Sequence, residues 1–182
     1  IDPFKSYRVI FNGDVAPEDN PELIFSRIDQ NATRINHSMM SFARHSMPRD
    51  FGGWNTHGLT QKMVDAYYMN DGSDCPGKDS ELNGGNGAAR LKGFTTARDY
   101  RRGKYKPLAA NVSLQYANRE PRFYASVGYN GSVWEYLGDP ENTHHNRQTF
   151  YYRGSGNGYN NSQFYLRTGI SVKKYVNPTD VP

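Results

Sequence analysis

The chain has 182 residues, enough for one domain with a modest core or for part of a larger one. Its 22 basic and 18 acidic residues leave a net charge of +4, too mild and too evenly spread to argue for nucleic acid. The single cysteine, Cys75, excludes an intrachain disulfide framework and any paired-cysteine metal site, and no apolar run approaches the roughly 20 residues that span a bilayer.

In chain order, Tyr7–Phe11 and Pro21–Ile28 are short apolar runs separated by turn formers, and they predict two strands. Residues 31–58 show no period and read mostly as loop. Thr60 should cap a helix running to about Asn70, with Met63, Val64, Tyr67 and Tyr68 on one face and Gly72 beyond its end. Residues 71–107 read as a long excursion that ends in the basic run Arg98–Lys106. Ser113 to Asn118 is a short helix at best, stopped before Pro121.

From Phe123 to Tyr136 rings and apolar residues alternate with polar ones on both sides of Asn130-Gly131. That pattern predicts a β-hairpin closed by a type I′ turn. Thr149–Arg153, Phe164–Arg167 and Ile170–Val176 complete the expected strands, with a turn-rich loop at residues 155–161. The 18 glycines and 10 prolines fit such short elements. The fold class expected is α+β and loop-rich, with short antiparallel strands or hairpins and few helices.

Of the chemistry this chain could carry, flat rings beside glycines and amides suit carbohydrate. A ring stacks on a sugar's CH face, and amides meet its hydroxyls. Trp54 with Asn55 and His57, Tyr159 with Asn160 and Asn161, and Trp134 are the candidates, against ordinary packing for each ring. Trp54, between glycines and directly before the capped helix, is expected to face outward.

Other signals are thinner. His144-His145 with Glu141 lacks metal-ligand spacing and reads as a solvated loop. Asp71, Asp74 and Asp79 lack the spacing and terminal Glu of a calcium loop, so no metal or other cofactor is assigned. Cys75 has no evident base beside it, and nothing places two carboxylates at glycosidase separation. The Arg98–Lys106 run with Tyr100 and Tyr105 could contact single-stranded nucleic acid but reads as a solvated basic loop, so no nucleic-acid partner is expected.

Four segments resemble the SusD/RagB-like family in that family's order. Arg119-Glu120-Pro121-Arg122-Phe123-Tyr124 is similar to its R-[DE]-P-R-F-Y segment. Gly58-Leu59-Thr60-Gln61 through Asp65-Ala66-Tyr67 and Asp71-Gly72 is similar to its "PT-x-E-L-V-D-A-Y…DG" helix. Thr168-Gly169-Ile170 with Lys173-Lys174-Tyr175 resembles its "TGY-x-x-x-KY" strand, and Pro21–Phe25 its "PE-I-I-F" strand. Leu59 stands where the family has proline, Glu120 where it usually has aspartate, and Ile170 where it usually has an aromatic residue.

The resemblance implies a single SusD-like domain fragment over 1–182, from the central-to-C-terminal portion of a longer chain and without most of the family's helical repeat scaffold. Ile1-Asp2-Pro3 fits such a fragment. It further implies a non-catalytic lipoprotein of the outer-membrane surface, held by a lipid anchor outside this fragment. Such a protein captures a glycan and passes it to a SusC-like, TonB-dependent transporter. The alternatives are a carbohydrate-active enzyme or a peptide-binding member of the same family.

Overall fold

The computed structural model describes residues 2–24, 41–78, 91–137, 145–159 and 164–179. Where the first strand was expected there is a helix, α1 (Pro3–Val9). Its start is fixed locally: Asp2 accepts hydrogen bonds from the N–H groups of Phe4 (3.0 Å) and Lys5 (3.2 Å), and Pro3 sits in the first turn. A five-residue apolar run cannot distinguish strand from helix, and the Asp-Pro cap decides for helix. Residues 21–24 form turn and irregular backbone instead of the second expected strand, whose remainder lies outside the described residues.

The segment read as loop contains α2 (Ser41–Ser46) and a single 3-10 turn at Arg49–Phe51. Ala43, Ser46 and Met47 (i, i+3, i+4) are all buried. The helical face is disguised in sequence because one of its members is a serine. The Ser46 hydroxyl satisfies itself by donating to the Phe42 carbonyl at 2.8 Å.

Helix α3 (Gln61–Asp65) starts where Thr60 predicts, with Thr60 Oγ1 accepting from Met63 N–H at 3.3 Å. It stops well short of Asn70, because the following residues pair with distant chain. Glu120 N–H donates to the Tyr68 carbonyl, Asn70 N–H to that of Asn118, and the Arg119 guanidinium takes the carbonyls of Val64 (2.5 Å) and Tyr67 (2.7 Å). Val64 is buried as expected, whereas Met63 and Tyr68 are exposed. The basic run holds another unanticipated helix, α4 (Ala97–Arg102), opened by a Thr96–Asp99 capping box.

The largest departure follows Pro121. Residues Pro121–Ser126 form α5, with proline in its first turn, instead of the first arm of a hairpin. Its Phe123, Tyr124, Ala125 and Ser126 are all buried and only Arg122 is exposed, so too little polar face exists to reveal a helical period. Strands β1 (Val127–Gly128) and β2 (Ser132–Trp134) follow, and Ser132 N–H closes the intervening turn on the Tyr129 carbonyl at 2.8 Å.

These two strands do not pair with each other. Strand β1 pairs antiparallel with β4 (Ser171–Val172), and β2 pairs antiparallel with β3 (Arg147–Thr149). The turn is not type I′ either, since Gly131 (φ +85°) has positive φ and Asn130 does not. Only short parts of the remaining expected strands form: β3 precedes most of Thr149–Arg153, β4 occupies two residues of Ile170–Val176, and Phe164–Arg167 is irregular.

Two apolar clusters hold these pieces. In the larger, Phe123 is fully buried among Tyr116, Tyr124 and Tyr129, with ring centroids 5.1–6.2 Å apart. Helix α1 packs against α5 beside it. In the smaller, Trp134 packs with Met47, Phe51 and Val176. Among the described residues, few helices and two small antiparallel sheets make an α+β architecture. No helix among the described residues is long and apolar enough to cross a membrane.

Candidate functional site

After α2 the chain turns through Gly52 and Gly53 and lies back against the helix it has just left. The N–H groups of Trp54, Asn55, Thr56 and His57 donate to the carbonyls of Arg44 (2.7 Å), Met47 (3.1 Å), His45 (2.7 Å) and His45 (3.1 Å). A Cβ on Gly53 would fall 2.1 Å from the Met47 carbonyl oxygen, so this close return needs glycine. The fold-back stands the rings of the loop beside the rings of the helix.

A ladder of ring contacts results. His45 meets Trp54 edge-on (4.6 Å, 81°) and lies 5.2 Å from His57, which is 4.4 Å from Phe42. Phe42 meets Tyr175 edge-on at 5.0 Å, and Tyr175 leads through Phe11 to Tyr7 at the end of α1. In the other direction Phe164 stacks on Trp54 (5.2 Å, 18°), and its chain neighbour Tyr165 meets Tyr159 edge-on at 4.9 Å. The dipeptide Phe164-Tyr165 therefore joins the Trp54 loop to the Tyr159 loop. Phe42, Tyr159, Phe164 and Tyr175 are 41–56% exposed, so the ladder reaches solvent at several rungs.

Beneath it, polar groups tie the two loops. Asn157 donates its amide to Asp50 Oδ2 (2.8 Å), and its carbonyl accepts the Asn55 side-chain amide at 2.7 Å. Asn55 and Asn157 are at most 1% exposed. Cations lie on the rings: the Arg44 guanidinium carbon is 4.6 Å from the Trp54 centroid, Lys174 Nζ is 3.6 Å from that of Phe11, and the Arg167 guanidinium carbon is 5.8 Å from that of Tyr165. Burial, followed by the neighbouring His57 and Arg44 charges, holds His45 below the ordinary histidine pKa of 6.5. Its Nδ1 is 2.5 Å from Thr56 Oγ1.

The residues nominated from sequence fall into different places. Trp54 is half-buried, its ring engaged by Phe164, Arg44 and His45, which corrects the outward-facing ring expected between its glycines. Asn55 is interior and bonds to the Tyr159 loop, so it supports the surface from below. His57 stands in the ladder, with Nδ1 3.2 Å from Ser46 Oγ. Tyr159 is exposed. Asn160 lies outside the described residues. Trp134 is 4% exposed in the smaller cluster, far too covered to present a ring, because β2 turns it inward.

Sequence reading passed over Phe42, His45, Phe164, Tyr165 and Tyr175. None neighbours a glycine, and rings next to glycines were the signal sought. A small cleft beside Trp134 is lined by Arg8, Glu135 and Lys173, and Arg8 already holds Glu135 at 2.6 Å. Among the described residues no three His, Cys, Asp or Glu side chains gather as a metal site. Asp79, Glu141 and His144, raised in that context, lie outside them.

The SusD family's sequence model matches residues 21–181. The structure is similar to the crystal structure of a SusD-like protein from Bacteroides fragilis NCTC 9343, with a TM-score of 0.59 and 21% identity. That similarity covers 98% of this chain and 29% of the solved one, so the chain spans under a third of that relative's length. A search of curated proteins returned no match. With the family match running over nearly the whole sequence and the fold similarity beside it, this chain belongs to the SusD family.

Proposed function

We propose that this chain forms part of a non-catalytic, surface-exposed glycan-binding protein of the outer membrane, which hands its ligand to a SusC-like, TonB-dependent transporter. Family membership supports the class of function. The observation that carries the site is the aromatic ladder, whose exposed rungs Phe42, Tyr159, Phe164 and Tyr175 offer flat apolar faces to sugar rings. Trp54 acts as the support on which Phe164 stacks. His57, and Asn160 beside Tyr159, supply hydrogen-bonding groups, while Asn55 and Trp134 hold the surface and the smaller core.

Calorimetry on the full-length protein tests this. Tyr159→Ala and Phe164→Ala should each weaken glycan affinity about tenfold, on the scale of one aromatic contact, with little change in melting temperature. Trp54→Ala should weaken binding at least as much and also lower the melting temperature, since the ring supports its neighbours. Unchanged affinity in both exposed-ring variants would remove the ladder as the site. Chromatography of the glycan after incubation should show no product; a product would favour the carbohydrate-active enzyme.

A further inference from the structure

The ladder carries charge of one sign. Arg44 on Trp54, Arg167 on Tyr165 and Lys174 on Phe11 place three cations along it, and none forms an ion pair with a described carboxylate. Arg44 Nε is buried without a hydrogen-bond partner. Asp50, the carboxylate tied into the loops beneath the ladder, is engaged by Asn157. A neutral glycan would leave these charges uncompensated while displacing part of their hydration. An anionic one would neutralise them, and a guanidinium fork suits carboxylate and sulfate oxygens alike.

We infer that the ligand of the ladder is an acidic glycan, whose sugar rings stack on the exposed aromatic rungs and whose anionic groups meet Arg44, Arg167 and Lys174. This rests on the glycan-binding reading and adds the charge class of the substrate.

The test compares oligogalacturonate with its methyl ester, and chondroitin sulfate as a sulfated probe, by calorimetry on the full-length protein. An acidic probe should bind at least tenfold tighter than the ester, and the advantage should shrink as salt rises from about 0.05 to about 0.5 M. Arg44→Gln with Lys174→Gln should abolish the advantage of the acid over the ester. If Arg44→Gln lowers the melting temperature, Arg167→Gln with Lys174→Gln, which leaves the Trp54 stack intact, should reduce the advantage several-fold. Tighter binding of chondroitin sulfate than of unsulfated chondroitin, with the same salt and variant dependence, identifies sulfate as a recognised anion and supports the inference. Binding of both acidic probes no tighter than the ester, or a preference untouched by these variants, overturns the charge class and leaves glycan binding standing. If no probe and no neutral glycan binds, both readings fall.

Discussion

Lys173 carries its ammonium into the interior beside Trp134, where it donates to the Val133 carbonyl at 2.8 Å. Burial pushes its pKa down from 10.5 to about 8, against the opposing pull of Glu135 and with a smaller contribution from Arg8. Between those two values the unfolded chain holds more protons than the folded one, so stability rises with pH through that window and is lost as pH falls to about 8. The gain is at most about 3 kcal/mol. Urea midpoints measured across the window should climb for the wild type, and Lys173→Met should remove most of that climb. Gly131 is the other informative residue. Its φ is +85°, and an added Cβ would lie 2.9 Å from Val112 Cγ2. Gly131→Val should therefore cost about 1–3 kcal/mol, read as a lowered midpoint. The turn type differs from the expected one, yet the demand for glycine stands, because types I′ and II both need positive φ at the second central position.

Among the elements, the fold-back of residues 52–59 on α2 and the loop at 155–159 matter most for the surface, and Asn157 joins them. It receives the Asn55 amide, donates to Asp50 and accepts from Asp50 N–H at 3.3 Å. Asn157→Ala removes both side-chain bonds to half-buried Asp50 while the backbone carbonyl keeps the Asn55 amide, which should cost about 1–3 kcal/mol. Because the Tyr159 loop then loses its tie to Asp50 and keeps only the Asn55 bond, glycan affinity should drop along with the melting temperature. An Asn157→Ala protein of normal affinity would mean that the two loops are positioned independently. The helices illustrate why local patterns gave an uneven reading. Thr60 carries its signal within a few residues and caps α3 as expected, whereas Gly72 takes φ +84° in a separate turn closed on the Met69 carbonyl, because the helix it was expected to follow ends at Asp65. The Thr96–Asp99 capping box of α4 was equally local and was overlooked amid the basic residues around it. Helix α5 had only Pro121 to announce it, and alternation of rings on a segment buried from Phe123 onward imitates a strand.

Across the whole molecule, described helices of five to seven residues and strands of two or three imply that loops and ring packing hold the shape. Far-ultraviolet circular dichroism of the 182-residue chain should show weak helical minima, and the near-ultraviolet band should be strong from its packed tyrosines and two tryptophans. A spectrum of helical-bundle intensity would contradict this architecture.

The sequence by itself determined the family, the α+β class, the Thr60 cap and the need for glycine at Gly131. Each is encoded in contiguous residues: four ordered motifs between Pro21 and Tyr175, one hydroxyl before a helix, and one missing side chain in a turn. Tertiary structure alone decided that β1 and β2 part company, since Val127 finds Val172 and Ser132 finds Thr149 across the fold. Tertiary structure also decided the site. Trp54 meets Phe164, and Phe42 meets Tyr175, over more than a hundred residues of chain, and no local period records such a contact. Burial fixed α5 in the same way, because a short apolar run satisfies helix and strand equally until its neighbours on every side are in place.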